Sequence, residues 1–198
     1  KIHVMDHNYA AQTQHIRVGD GAYLEYLPEP TIPHRHARFL THTTLTVAPS
    51  ATLLYAEILA AGRKHYERGE LYQLDLFSSS VRAEREDGRE LFVEKFVVEP
   101  GRTPVRQTGV VGPYDVFANA LLLAPRACTD PIFEELGAGL DEQAETASGA
   151  SRLPNDAGLV FKVLGMETEP VRAKLRAFWS LVRTQVTGTS LMKEPAWR

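Results

Sequence analysis

Cysteine is almost absent from this chain. Cys128 is the single one in 198 residues, which excludes an intrachain disulfide framework and a multi-cysteine zinc site and suits a reducing compartment, so a cytoplasmic location is expected. Long apolar runs are also lacking: none approaches the ~18 residues of a membrane span, so a membrane is not an expected partner. Charge of one sign is lacking too. The net charge is −3, and the longest basic cluster is Arg172, Lys174 and Arg176, so nucleic acid is not an expected partner either. Catalytic signatures are equally scarce. There is no Gly-x-Ser-x-Gly elbow and no His-Glu-x-x-His, and Gly109-Val110-Val111-Gly112 lacks the Lys-Ser/Thr ending of a phosphate loop.

What is present is a β-rich pattern. A hydrophobic content of 43% over 198 residues is ample for one sizeable core. Strand-length segments are predicted at 12–18, 22–27, 38–47, 52–59, 70–82 and 90–98, separated by Gly19-Asp20-Gly21, Pro28-Glu29-Pro30, Ala48-Pro49-Ser50 and Asp87-Gly88. Asp87-Gly88 predicts a hairpin between its flanking strands. The last third changes character: a strand over 113–123, an acidic helix opened by Thr129-Asp130-Pro131, a small polar loop over 146–156, and a strand over 158–164. The clearest helix follows Thr168-Glu169-Pro170, with Val171, Leu175, Phe178, Trp179, Val182 and Val186 at helical spacing and Gly188 beyond its end. These segments predict a single domain over 1–198, with a β body over 1–112 and a mixed α/β end over 113–198. Lys1-Ile2-His3-Val4-Met5 looks like part of a strand entered midway, so an N-terminal portion is expected to precede it.

Two residues do not fit their strands. Leu53 to Leu59 is apolar except for Glu57, which shares a face with Leu53, Tyr55 and Leu59. In the run Leu91 to Val98, Glu94 shares a face with Phe92, Phe96 and Val98. A buried carboxylate must be paired, protonated or facing a wet cavity. The two glutamates could be an acid/base pair, a cation site, a polar lining inside a β structure, or structural acids capped by arginines such as Arg63 or Arg82. Among the seven histidines, His34 and His36 are two apart and would share a face in a strand, making them weak metal candidates.

Certain motifs match in order and spacing. Leu27-Pro28-Glu29-Pro30-Thr31-Ile32, Leu54-Tyr55-Ala56-Glu57-Ile58-Leu59, Gly62-Arg63, Gly69-Glu70 and the Glu94 strand resemble the urease accessory proteins of the UreD (UreH) family. Phe178-Trp179, Thr187-Gly188-Thr189-Ser190 and the closing Pro195-Ala196-Trp197 resemble that family's end. The resemblance covers essentially the whole chain, although family members normally begin with strands that would precede Lys1.

The resemblance implies a mainly β fold, a right-handed β-helix-like body of short strands with a small C-terminal α/β part carrying two helices. It implies a non-enzymatic scaffold that binds UreF, recruits the UreG GTPase through it, and docks on apo-urease so that nickel reaches the urease active site. No permanently bound cofactor is implied, only transient Ni2+, with Glu57 and Glu94 on the metal's route. Thr31, Gly62, Arg63, Gly69, Glu70, Trp179 and Trp197 are then motif or structural positions. The rival reading of the residues is a carboxylate-based hydrolase on a β-helix using Glu57 and Glu94.

Overall fold

The chain alternates between two sheets as it runs. A computed structural model describes residues 1–192. Strands β1 (Ala10–Val18), β3 (Arg38–Val47) and β5 (Leu76–Glu84) pair side by side in parallel, while the intervening β2 (Tyr23–Tyr26) and β4 (Thr52–Ala60) pair in parallel in the other sheet. From β5 onward the pairing turns antiparallel. β6 (Glu90–Val98) completes the first sheet in the order β1-β3-β5-β6. The second sheet runs β2-β4-β7-β10-β9-β8, with β7 (Val116–Leu123), β8 (Asp141–Glu142), β9 (Thr146–Arg152) and β10 (Gly158–Gly165). Both sheets are mixed and neither closes on itself. The six-stranded sheet crosses residue 112, because β7 lies between β4 and β10.

Side-chain alternation gives β4 two apolar faces, each with its own core. Leu53 and Tyr55 join Leu45, Val47, Val81 and Leu121 between the sheets. Leu54, Ala56 and Ile58 face the helices α1 (Arg126–Leu136) and α2 (Thr168–Thr187), where Ile132, Val171, Leu175, Phe178 and Val182 are buried. The layers are therefore four-stranded sheet, six-stranded sheet, helices. Helix α2 follows the predicted 3.6-residue spacing, with Phe178 stacked on Phe161 at 4.8 Å and Gly188 in the left-handed conformation at its end. Its basic side chains reach acidic partners: Arg183 pairs with Glu25, Lys174 with Asp141 and Arg172 with Glu29.

Three expectations are corrected. The segment 146–156 holds strand β9 rather than a loop: its small residues suggested a flexible stretch, but β10 and β8 pair with it, α1 and α2 touch it, and Thr146 and Ser148 are buried. Helix α1 starts at Arg126, so Pro131 sits inside it and not at its start. The buried Thr129 and Ile132 anchor the turns around a proline that offers no N–H to the preceding turn. The strand expected over 70–82 begins only at Leu76, because Tyr72 has a positive φ that breaks the extended path ahead of it. The Asp87-Gly88 hairpin joins β5 and β6 as expected, with Arg85 N–H bonded to the Arg89 carbonyl at 2.9 Å.

Candidate functional site

Register brings the polar residues together. In the six-stranded sheet Glu57 of β4 stands opposite Asn119 of β7, which stands opposite Lys162 of β10. Directly opposed residues in a sheet share a face, and here that face is the one turned to the four-stranded sheet. From the other side Gln12, Thr41 and Ser79 lie in one paired row of β1, β3 and β5, with Gln14 and Thr43 in another. The result is a polar layer between two apolar ones. Leu45, Leu53, Val81 and Leu121 lie at one end; Phe39, Phe77, Phe96 and Phe117 pack in succession at the other, tilted, stacked and edge-on, with centroids 6.0, 5.7 and 5.2 Å apart.

Among the described residues, Glu57 is held by hydroxyls alone. The Tyr55 hydroxyl donates to its Oε1 at 2.9 Å, and Ser79 Oγ lies 3.1 Å from both carboxylate oxygens. Among the described residues it has no ion-pair partner: Arg63 pairs with Glu70 and Arg82 with Glu84 and Glu90, so the arginine caps considered for it are engaged elsewhere. Burial pushes the Glu57 carboxyl above its ordinary range; the hydrogen bonds from Tyr55 and Ser79 oppose the rise and the charge of Glu94 adds to it. Burial and then the Glu57 charge push the Tyr55 hydroxyl up as well, which keeps it a donor. A cavity of about 200 Å³ enters past Gln12, Gln14, Glu29 and Thr31 and reaches Tyr55 and Glu57 along the phenylalanine wall.

Glu94 has different company. It accepts a 3.0 Å hydrogen bond from Asn119 Nδ2 and forms an ion pair with the Lys162 ammonium. Asn119 is 1% exposed, and its Oδ1 has no partner among the described residues. Asn119 and Lys162 escaped the sequence reading, although each is the lone polar residue of an apolar strand, the same signal that singled out Glu57 and Glu94.

Of the other motif residues, Thr31 lines the cavity, while Gly62, Arg63, Gly69 and Glu70 build the connection after β4. Thr31 bridges to Leu59: its N–H donates to the Ile58 carbonyl at 2.8 Å, and its carbonyl accepts from Ala60 N–H at 3.0 Å. Glu70, 7% exposed, takes a bidentate grip from Arg63 at 2.6 and 2.7 Å and a 3.4 Å bond from Arg35 N–H. That guanidinium holds the Glu70 carboxyl below its ordinary range and also covers the Tyr66 ring at 3.8 Å. Gly62 has φ +146, and a Cβ there would lie 2.0 Å from the Glu70 carbonyl oxygen; Gly69, with φ +82, passes the Lys64 carbonyl.

His34 and His36 stand in or beside a turn, not on a strand, and their rings do not meet. His34 packs edge-on to His3 at 5.0 Å, while the exposed His36 bonds Asp75 at 3.1 Å. Among the described residues no group of three or more His, Cys, Asp or Glu side chains could hold a metal ion. Trp179 lies half-buried against the outer core with its Nε1 unpartnered among the described residues. Trp197 lies outside the described residues.

Comparison with known proteins adds the lineage. The profile of the UreD urease accessory protein matches residues 1–198. The chain belongs to the UreD family. It is 51% identical over 197 residues to Urease accessory protein UreD 2 of Brucella suis biovar 1 (strain 1330) and to the protein of the same name of Brucella melitensis biotype 1. It is 44% identical over 198 residues to Urease accessory protein UreD of Yersinia pseudotuberculosis serotype O:1b. In each case the whole chain is covered. The chain spans 65% of the length of those Brucella relatives and 62% of the Yersinia one. Membership of the UreD family lends no support to the hydrolase expectation, and the two glutamates differ in their partners, Tyr55 and Ser79 for Glu57, Asn119 and Lys162 for Glu94. No helix among the described residues is long and apolar enough to cross a membrane.

Proposed function

We propose that this chain is a non-enzymatic scaffold of urease maturation that passes Ni2+ as cargo along the inter-sheet polar layer toward apo-urease. It does so in the cytoplasm, in a complex with UreF and, through UreF, UreG. The observation that carries the reading is Glu57: a carboxylate reached by a cavity, held by hydroxyls, and without a cationic partner among the described residues. A purely structural acid inside the sheets would be expected to carry a cation, as the buried Glu70 carries Arg63.

The donor set suits transit. Carboxylate, amide and hydroxyl oxygens bind a divalent cation more loosely than a closed cage of imidazoles or thiolates, and a conduit needs ligands that release. The passage of the chain from β1 to β5 between alternate sheets is the winding we read as the β-helix-like coil, with the layer running through its interior. Glu57 serves as the first carboxylate behind the cavity and Glu94 as the second.

The test is urease activation. A Glu57→Ala, Glu94→Ala double variant, co-produced with UreF, UreG and apo-urease, should retain UreF binding yet yield urease with little nickel and little activity. Normal activation by that variant would reduce both glutamates to packing.

A further inference from the structure

Resting on the reading of the layer as a cation route, we propose that Lys162 is a displaceable counter-cation: its ammonium occupies the Glu94 end of the layer and is expelled when a divalent cation arrives. Lys162 stands in register with Asn119, which stands in register with Glu57, so the order along the sheet is carboxylate, amide, ammonium. Glu94, from the facing sheet, joins the last two: one oxygen pairs with the Lys162 ammonium and the other accepts from Asn119 Nδ2. The Asn119 amide therefore spends its donor on Glu94 and is left with an oxygen that is buried and unpartnered among the described residues. A buried acceptor beside a carboxylate is what a cation ligand looks like while the ligand is away. The ammonium satisfies Glu94 but does not satisfy that oxygen.

Exposure gives Lys162 its way out. Its side chain is 48% exposed whereas that of Glu94 is 20% exposed, so the ammonium reaches inward from the rim of the sheets. A lysine is a point charge on a flexible four-carbon stem and returns to water readily, unlike a bidentate guanidinium such as Arg63 on Glu70. A divalent ion that replaces it gains the Glu94 carboxylate and, once the Asn119 amide turns over, the Asn119 oxygen as well. Once the ion moves on, the ammonium falls back. Such competition keeps the layer from trapping its cargo.

Equilibrium dialysis of the whole chain against Ni2+ tests this with three substitutions. Lys162→Met, which keeps the stem and removes the charge, should bind Ni2+ about tenfold more tightly than the unaltered chain. Lys162→Arg should bind no more tightly than the unaltered chain, and Glu94→Gln added to Lys162→Met should abolish the gain. If Lys162→Met does not fold, Lys162→Gln replaces it. Equal or weaker binding by the charge-removed variant overturns the proposal. If Glu57→Gln and Glu94→Gln weaken Ni2+ binding while loss of Lys162 fails to strengthen it, only the counter-cation role falls. If neither glutamate substitution affects binding, the route itself falls and this role with it.

Discussion

Glu57 and Glu70 are the same residue type, both removed from bulk water, and the chain treats them in opposite ways. Glu70 receives a guanidinium in bidentate geometry and a backbone N–H. Glu57 receives one phenol and one serine hydroxyl. The first arrangement favours the charged form and ties the 61–72 connection to itself; the second tolerates the carboxylate without neutralising it, next to a cavity. A neutralised carboxylate is a fastening. An un-neutralised one, half-buried against a cavity, has a cost that packing alone does not explain, and the difference between the two is the best internal argument that the polar layer serves a moving cation.

The largest effect should come from breaking the fastening. Gly62→Ala places a Cβ against the Glu70 carbonyl oxygen at a positive φ, so the backbone that presents Glu70 to Arg63 must shift. The expected loss is on the order of 3 kcal/mol in urea unfolding, with the soluble yield falling in parallel. Ni2+ binding by whatever fraction folds should remain, because the polar layer takes its side chains from the sheets and not from this connection. Equal losses of both properties would show that the two regions are one cooperative unit.

pH separates the two carboxylates in sign. The folded pKa of Glu70 lies below the ordinary 4.5, so its contribution is complete above 4.5 and fades as pH falls through the depressed folded value. That of Glu57 lies above 4.5, so its contribution is complete below 4.5 and is lost as pH rises through the raised value. The groups facing Glu57 are Glu94 and Tyr55, with Lys162 beyond Asn119; those facing Glu70 are Arg63 and Arg35. Compared with the unaltered metal-free chain, Glu57→Gln should therefore gain stability as pH rises above 4.5 through the raised folded value, and show no such gain below it. Glu70→Gln should lose stability at neutral pH and lose less as the solution is acidified. Urea titrations at a series of pH values read both slopes, and parallel slopes would dissolve the contrast.

The sequence made the strands of the first two-thirds legible because period-2 alternation and Gly/Pro punctuation are local signals: 38–47 and 90–98 coincide with β3 and β6. It made Glu57 and Glu94 legible because a charge in an apolar strand is conspicuous. What it hid was pairing. Nothing local in Thr146–Arg152 says that it will lie between two strands and beneath helices, and the row Glu57, Asn119, Lys162 exists only once β4, β7 and β10 are in register. Ser79 carries no local signal, since a serine in a β segment is common and its target, Glu57, is 22 residues away. The arginines beside the glutamates in sequence were misleading neighbours: Arg63 turned toward Glu70, seven positions on.

The smallest effect is the most specific. Ser79→Ala removes two 3.1 Å contacts to Glu57 and leaves the Tyr55 hydroxyl as its remaining donor among the described residues. A hydrogen bond to a charged acceptor at a partly buried site is worth about 1 kcal/mol or somewhat more, but Glu57 escapes part of the loss by taking up a proton. The expected cost is thus about 1 kcal/mol near pH 8 and less near pH 5, read by urea unfolding. In a Glu57→Leu background the same substitution should cost about half as much or less, since serine then has no carboxylate to hold. A pH-independent cost that persists in that background would mean that Ser79 matters for strand packing and not for Glu57. The hydroxyl cradle would then no longer distinguish this glutamate from Glu70, and only its cavity and its lack of a cation among the described residues would do so.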